Sequence, residues 1–351
     1  MRMKRLIPRT FAAALCAAIL SMGLSSCDVH ELPVDENGNP VDVIDDGGLS
    51  MEVTLSFEYD LPQYKLLKYD MKDYLSKSRD DEYPDGLFPY RARYTVNLYP
   101  FISDEEISTT PEKTFTYLGA FVVNLQQTFK IPADSKKYRA VAVVDFVDKA
   151  TRADTFYSVS DFSSIRITDR EYVGSTDFRD AFTGSADVDL AAYPTQGATA
   201  QVNVKMTRPV AKFEFVSLDK EAYEKSNGPT DFTKFKAIFT YNGFLPDTYN
   251  YFKNEPTDAR TGVKFTSVPV IQDDGSVVLG FDYVLVGGRE TSVDVSMTLI
   301  NDKGVALGAA RVVVPVLADN ITTVQGDFFT GITTGGIGIN AGFDGEYNIH
   351  F

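Results

Sequence analysis

Residues 277–316 read VVLGFDYVLVGGRETSVDVSMTLINDKGVALGAARVVVPV, and this stretch decides the fold class. It holds three runs in which apolar residues, many of them Val, alternate with polar or small ones, a pattern typical of half-buried strands. Turn-forming residues such as NDKG (301–304) separate the runs. QDDG (272–275), just before the first run, is consistent with a hairpin. The stretch therefore predicts consecutive β-strands.

The same alternation recurs outward from this stretch. Further runs are MEVTLSFEY (51–59), RYTVNLYPF (93–101), YRAVAVVDF (138–146), TAQVNVKM (199–206) and VAKFEFVSL (210–218). Two segments, residues 64–75 and 219–225, have a short helical pattern, and neither is long enough to cover a sheet. Because well over a dozen strands exceed what one sandwich needs, we predict an all-β protein with two tandem β-sandwiches. The N-terminal sandwich would span residues 50–198 and the C-terminal one residues 199–351.

The first residues have the order of an export signal. Four basic residues among the first nine precede an apolar run at residues 11–20. A run of about ten residues is half of what a membrane-spanning helix needs. LSSC (24–27) then resembles the bacterial lipobox, whose cysteine is lipidated and becomes the first residue of the mature protein. We therefore predict a lipoprotein signal peptide at residues 1–26 and acyl chains, palmitate among them, on Cys27, which anchors the protein to a membrane.

A tether is predicted at residues 27–49. From Asp28 to Gly48 the sequence is acidic, contains Gly and Pro, and has no aromatic or basic residue, so it cannot bury enough apolar surface to fold. Without the four basic residues of the signal peptide, the mature chain has 30 Lys and Arg against 49 Asp and Glu. This charge argues against nucleic acid as a partner.

The residue types of common active sites are scarce. The two cysteines are Cys16, inside the signal peptide, and Cys27, so the mature chain has no internal disulfide and no thiolate metal site. The two histidines, His30 and His350, lie in the tether and near the chain end, where neither suits a buried general base. We predict no cofactor, no metal and no enzymatic activity. A hydrolase that uses an Asp/Glu pair stays open as a rival.

Two local motifs are interpreted structurally. Arg208-Pro209 follows the run TAQVNVKM, and we predict a turn or bulge with a solvated arginine. GGIGINAG (335–342) has the loose spacing of a phosphate-binding loop, but no helical pattern follows it. We predict a flexible loop there, leading into a last strand within GEYNIHF (345–351).

Several stretches together resemble the fimbrillin superfamily of Bacteroidetes lipoproteins, the subunits and anchors of type V pili. These are MTRPVAKFEF (206–215), YNGFLPDTYN (241–250) and VPVLADNITTVQGDFFT (314–330), while FRDAFTGS (178–185) matches a related group that carries a domain of unknown function. The resemblance implies two transthyretin-like sandwiches on an outer-membrane lipid anchor. It also implies a location at the cell surface and a role in assembly. Whether the protein is part of the fimbrium itself stays open.

In polymerising members of that superfamily, a trypsin-like protease removes the first strand, and a C-terminal strand of a neighbour enters the groove. Here residues 28–64 contain no Lys or Arg, so the first candidate processing residues are Lys65, Lys68 and Lys72. LSFEYD followed by RYTVNLYPF also resembles the opening of pilus anchor proteins, which keep lipid and first strand. The resemblance implies a non-enzymatic pilus anchor, accessory subunit or adhesin whose partners are pilin-like subunits or surface ligands.

We expect such assembly to use strand edges, namely MEVTLSFEYD near the start and GEYNIHF at the end. Anchor, polymerising and tip roles stay open at this point. The alternative function is a glycan-binding surface lipoprotein that works beside a nutrient-uptake system. It would need an aromatic platform on one sandwich face.

Overall fold

A computed structural model of the protein describes eight ranges of the chain. They are residues 50–59, 89–121, 125–132, 136–168, 171–193, 199–331, 338–341 and 346–350. Strands dominate these ranges, and the one α-helix among them is α1 (Lys220–Asn227). The predicted all-β class is confirmed.

The described strands are numbered in chain order. Before residue 208 they are β1 (Ser50–Tyr59), β2 (Tyr90–Pro100), β3 (Lys113–Gly119), β4 (Leu125–Pro132), β5 (Lys137–Asp148), β6 (Tyr157–Ser158), β7 (Ile165–Ile167), β8 (Phe182–Asp189) and β9 (Thr199–Thr207). After it they are β10 (Val210–Ser217), β11 (Lys236–Tyr241), β12 (Leu245–Asn250), β13 (Glu255–Arg260), β14 (Lys264–Ser267), β15 (Val270–Ile271), β16 (Val277–Leu285), β17 (Thr291–Ile300), β18 (Ala306–Val316), β19 (Ile321–Gly326), β20 (Gly338–Ala341) and β21 (Glu346–His350). Short 3₁₀ turns occur at Asp177–Arg179, Leu190–Ala192 and Phe232–Lys234.

The described strands form four sheets. The first has the order β3-β2-β5-β8-β9-β1-β4, and the second has the order β15-β16-β10-β19-β21-β20. A third sheet, β14-β11-β17-β18, also uses only strands after residue 208. The fourth, β13-β12-β7-β6, takes two strands from each part of the chain. Strand β9, which we assigned to the second sandwich, pairs in the first sheet, and the division into two domains at residue 199 stays a prediction.

Alternation explains how β9 packs. Its burial switches at every residue, so the apolar positions Ala200, Val202, Val204 and Met206 are buried while the polar positions between them are exposed. This is the period of a strand with one face on the core. In β10 every residue is buried, Lys212 and Glu214 included, because both of its faces are covered.

The predicted hairpin at QDDG is present, since β15 pairs antiparallel with β16 across it. Gly275 has φ of +86°, a conformation that glycine adopts without strain. The carboxylate of Asp274 accepts hydrogen bonds from the backbone N–H and the hydroxyl of Ser276. The turn therefore forms because its residues satisfy the backbone locally.

Helix α1 confirms the predicted helical segment at 219–225, whereas residues 64–75 lie outside the described residues. The helix ends where Gly228, with φ of +83°, donates its N–H to the carbonyl of Glu224. GGIGINAG is only partly a loop, because β20 begins inside it at Gly338. Strand β20 pairs with β21, so the backbone there has hydrogen-bond partners that local composition does not reveal.

Candidate functional site: the slot of the first strand

Strand β1 lies between two strands that are distant from it in the sequence. It runs parallel to β9 and antiparallel to β4, with eight register pairs in each ladder. On its other side β9 pairs antiparallel with β8, so β9 has one parallel and one antiparallel neighbour. We call the space between β9 and β4 the first-strand slot.

The prediction that MEVTLSFEYD and GEYNIHF are sheet edges is wrong for the described chain. Strand β1 lies between β9 and β4, and β21 lies between β19 and β20. Local alternation predicts a strand, but its neighbours are set by long-range pairing. The edge strands next to them are β4 and β20.

The β9 wall of the slot is apolar toward the core. The register places Val53, Leu55 and Phe57 beside Ala200, Val202 and Val204, in that order. These three residues of β9 are at most 5% exposed. A strand in the slot therefore needs apolar residues at alternate positions to match the buried face of β9.

The β4 wall has aromatic contacts in addition to its ladder with β1. The ring of Phe129 stacks on Phe115 of β3, with centroids 4.5 Å apart, although β3 and β4 end opposite sides of the sheet. Phe121, in the connection from β3 to β4, is fully buried and stacks on Phe182. The two end strands of the sheet thus contact each other, and these aromatic contacts help to hold β4 in place.

The slot can hold an extended segment of about eight residues. Backbone groups of β9 and β4 give hydrogen bonds on both sides, and the alternate apolar positions select the sequence. Such an arrangement binds strands rather than small molecules. Within the described ranges, no group of three or more His, Cys, Asp and Glu side chains could hold a metal ion.

A second feature lies where β9 passes into β10. Arg208 is buried, and its Nε donates to both carboxylate oxygens of Asp180 at 2.9 and 2.8 Å. A second nitrogen, Nη1, lies 3.2 Å from Asp319. The predicted solvated arginine is therefore wrong, because its two carboxylate partners approach from distant segments and compensate its burial.

Lys212, four residues after Arg208 and in β10, has a similar arrangement. Its Nζ lies 2.9 Å from Asp177 and 4.0 Å from the ring centroid of Phe281. The hydroxyl of Tyr283 also donates to Asp177, at 2.8 Å. The basic residues of MTRPVAKFEF thus bind the acidic residues in and beside FRDAFTGS, so two of the motifs quoted above contact each other.

Asp282 is fully buried and forms the centre of a polar cluster. The hydroxyls of Tyr172 and Tyr241 both donate to its Oδ2 at 2.7 Å, and Nε of Arg179 lies 3.2 Å from its Oδ1. The Arg179 guanidinium also stacks 4.1 Å from the ring centroid of Tyr172. Burial raises the pKa of Asp282 above its ordinary value, and Arg179 opposes that shift.

We call the ion pairs Asp180–Arg208, Asp177–Lys212 and Arg179–Asp282 the junction cluster. Burial raises the pKa of Asp180 as it does that of Asp282, and Arg208 opposes it. Because each of the three acids faces a basic side chain, the cluster fixes segments to each other rather than forming an acid–base pair for catalysis. This cluster was not predicted from the sequence. The close spacing of Asp177 with Asp180 and of Arg208 with Lys212 was the one signal of paired charges.

The predicted lipid site and processing sites cannot be placed. Cys27, Lys65, Lys68 and Lys72 all lie outside the described residues. Among the residues that are described, no helix is long and apolar enough to cross a membrane. Strongly exposed aromatic rings in the described part are Phe244 and Phe252, both in turns beside β12 rather than in a row on a sheet face.

A family model matches residues 47–351, most of the chain, and describes a family of unknown function, DUF6562. The chain belongs to the DUF6562 family. The match confirms the predicted resemblance to a related group that carries a domain of unknown function. The slot and the junction cluster both lie inside the DUF6562 region. A comparison with curated proteins found none that matches the chain.

Two solved structures similar to this DUF6562 chain are fimbrial proteins. The fimbrial anchor protein Mfa2 from Porphyromonas gingivalis is 10% identical, with a TM-score of 0.36, over 75% of this chain and 83% of that one. A fimbrial assembly protein from Parabacteroides distasonis is 12% identical, with a TM-score of 0.35, over 83% of this chain and 94% of that one.

Proposed function

We propose that this protein is a non-enzymatic, cell-surface lipoprotein of the fimbrillin type, an anchor or accessory subunit that assembles by strand addition at the first-strand slot. The position of β1 carries this proposal. It lies between β9 and β4, parallel to β9, and it pairs along its backbone with both neighbours. A strand of another chain can satisfy the same requirements.

Chain order links the slot to membrane attachment. Lipid on Cys27 would come first, then the tether at residues 28–49, then β1. Lys65, Lys68 and Lys72 follow β1 and precede β2. A cut at any of them would separate lipid and β1 from the rest of the chain, whereas the uncut chain would stay anchored with its slot filled. The first Arg after the tether is Arg79, which also lies between β1 and β2, so a cut there would have the same effect.

The end of the chain has a sequence suited to the slot. Residues 346–351 read EYNIHF and residues 52–57 of β1 read EVTLSF, with Glu, alternating apolar residues and Phe at matching positions. In the described chain β21 also pairs parallel to its neighbour β19, as β1 does to β9. This similarity supports a second copy, or a related pilin, as the source of an incoming strand.

Mass spectrometry of the protein from its native outer membrane tests the attachment. We expect the N-terminal peptide to begin at Cys27 and to carry acyl chains. A Cys27→Ala variant serves as the control and should leave the membrane fraction. An N-terminus at Leu66 would instead indicate processing and strand exchange. A mature chain that keeps β1 but has no lipid would contradict the anchor.

Strand addition is tested with a labelled peptide of residues 50–60. We expect it to bind the protein after a trypsin-like cut between β1 and β2 and not before. A matched peptide with Ser in place of Val53, Leu55 and Phe57 keeps length and charge but loses the apolar face, so it should not bind. Equal binding of both peptides, or none to the cut protein, would contradict assembly at the slot.

A further inference from the structure

Tension on an anchored protein would enter the folded part at β1. If lipid on Cys27 anchors the protein to the membrane, as the proposed function requires, a pull along the chain reaches Ser50 first among the described residues. Strand β9 runs parallel to β1 and continues from its C-terminal end through Arg208 into β10. A partner on the later part of the chain therefore pulls β9 toward its C-terminus while the membrane pulls β1 toward its N-terminus.

Opposed pulls along neighbouring parallel strands load their ladder in shear. The hydrogen bonds of all eight register pairs between β1 and β9 then share the force, whereas a sideways pull would break them one after another. The ladder between β1 and β4 adds eight more pairs under the same load. Forced unfolding depends on the rate of the first opening step, so sharing the load delays it.

The connection from β9 to β10 is the other place where tension could separate two segments of this protein. The junction cluster crosses it with three ion pairs whose acidic and basic side chains are mostly buried. Arg260 adds a contact between distant segments, because its Nη2 donates to the carbonyl of Ile167 at 2.8 Å. Separation here would leave buried charges without partners, which costs far more than losing one backbone hydrogen bond.

We propose that β1 is the strand through which this protein resists tension, a shear clamp that holds at low tension and leaves its slot at high tension before the junction cluster opens. The slot would then become available to another strand while the chain stays covalently anchored. Tension alone would thereby expose the assembly site, without a proteolytic cut.

Single-molecule force spectroscopy on the full mature chain tests this proposal. One handle is attached at Asp28 and the other at a ligation tag inserted in the turn at residues 301–304. Release of residues 50–89 would lengthen the chain by up to roughly 140 Å, while unfolding of residues 210–301, the part before the second handle, would add roughly 300 Å. We expect the shorter step first, and a first step of the longer kind would overturn the proposal.

A reversible cross-link provides the matched control. The mature chain from Asp28 has no cysteine, so Thr54→Cys with Gln201→Cys introduces a single pair at one register position. Neighbouring strands are about 4.8 Å apart, within the Cα separation that a disulfide spans. The first step should vanish in the oxidised protein and return on reduction. Its persistence in the oxidised protein would contradict the clamp.

A junction variant tests the order of events. Asp180→Asn weakens the ion pair with Arg208, and Asp319→Asn, at a more exposed partner, replaces it if Asp180→Asn does not fold. The force of the first step should not change, because the junction is still closed at that point. A clear fall in that force would overturn the proposal. These measurements need no lipid, so failure of the clamp is distinguishable from an unlipidated Cys27, which would refute only the membrane anchor.

Discussion

Arg208 and Asp180, 28 positions apart, form an ion pair whose side chains are 6% and 1% exposed. Together with Lys212 and Asp177 they bind the segment after β9 to the segment before β8. Two motifs that look independent in the sequence are therefore complementary halves of one contact. The two motifs need each other for a physical reason, because the acids or the bases alone would be buried charges without a partner.

The first prediction concerns this pair. Replacing Arg208 with Ala leaves Asp180 buried without its main partner, so we expect the free energy of unfolding to fall by about 3–5 kcal/mol. Urea denaturation followed by tyrosine fluorescence measures it, because the chain contains no tryptophan.

Arg139 provides the control for that prediction. Its pair with Asp187 has similar geometry, at 2.8 Å, but the two side chains are 37% and 38% exposed. Arg139→Ala should cost at most about 1 kcal/mol. Equal losses in the two variants would show that burial does not decide the strength of the junction.

The second prediction concerns alkaline pH. Burial raises the pKa of Tyr172 and Tyr241 well above the ordinary value of 10.0. Below pH 10 these tyrosines are protonated in both states and cost nothing. Above it the unfolded chain loses the protons while the folded chain keeps them, so the free energy of unfolding falls as pH rises.

Each such tyrosine should lower the free energy of unfolding by up to about 1.4 kcal/mol per pH unit in this range. Urea denaturation between about pH 9 and about pH 11 measures the slope. Tyr241→Phe removes one titrating group, so its slope should be smaller than that of the unmodified protein. Identical slopes would mean that Tyr241 does not titrate differently on folding.

Features that depend on neighbouring residues could be predicted from the sequence, whereas features that depend on distant contacts could not. The alternation in β9 and the QDDG turn depend on neighbouring residues, and both are present as predicted. The place of β1 depends on pairs such as Glu52 with Thr199, 147 positions apart, which no local period reveals. Arg208 is the same case, because its burial depends on acids from two other segments.

The third prediction tests the spacing of β8 and β9. Gly184 of β8 pairs with Met206, and a Cβ added there would lie 2.3 Å from the carbonyl oxygen of Lys205. Gly184→Ala must push β9 away, and we expect a loss of about 1–3 kcal/mol in unfolding free energy. Gly243→Ala is the control, since nothing lies within 4 Å of its added Cβ. It should change stability by less than about 0.5 kcal/mol.

The last prediction tests whether the β4 wall holds β1. Phe129 is 3% exposed and stacks on Phe115, so Phe129→Ala should lower the free energy of unfolding by about 3–5 kcal/mol. Because β4 would lose the contact that fixes it to β3, the β1 ladder should open more often, and hydrogen–deuterium exchange of β1 amides should become faster.

Phe244→Ala is the matched control, because this ring is 73% exposed and its loss should change stability by less than about 0.5 kcal/mol. Exchange in β1 should then stay as in the unmodified protein. If Phe129→Ala lowers stability but leaves exchange in β1 unchanged under native conditions, the aromatic contact supports the sheet without holding the slot. That result would leave the ladder with β9 as the main support of β1 and would make β4 a passive edge.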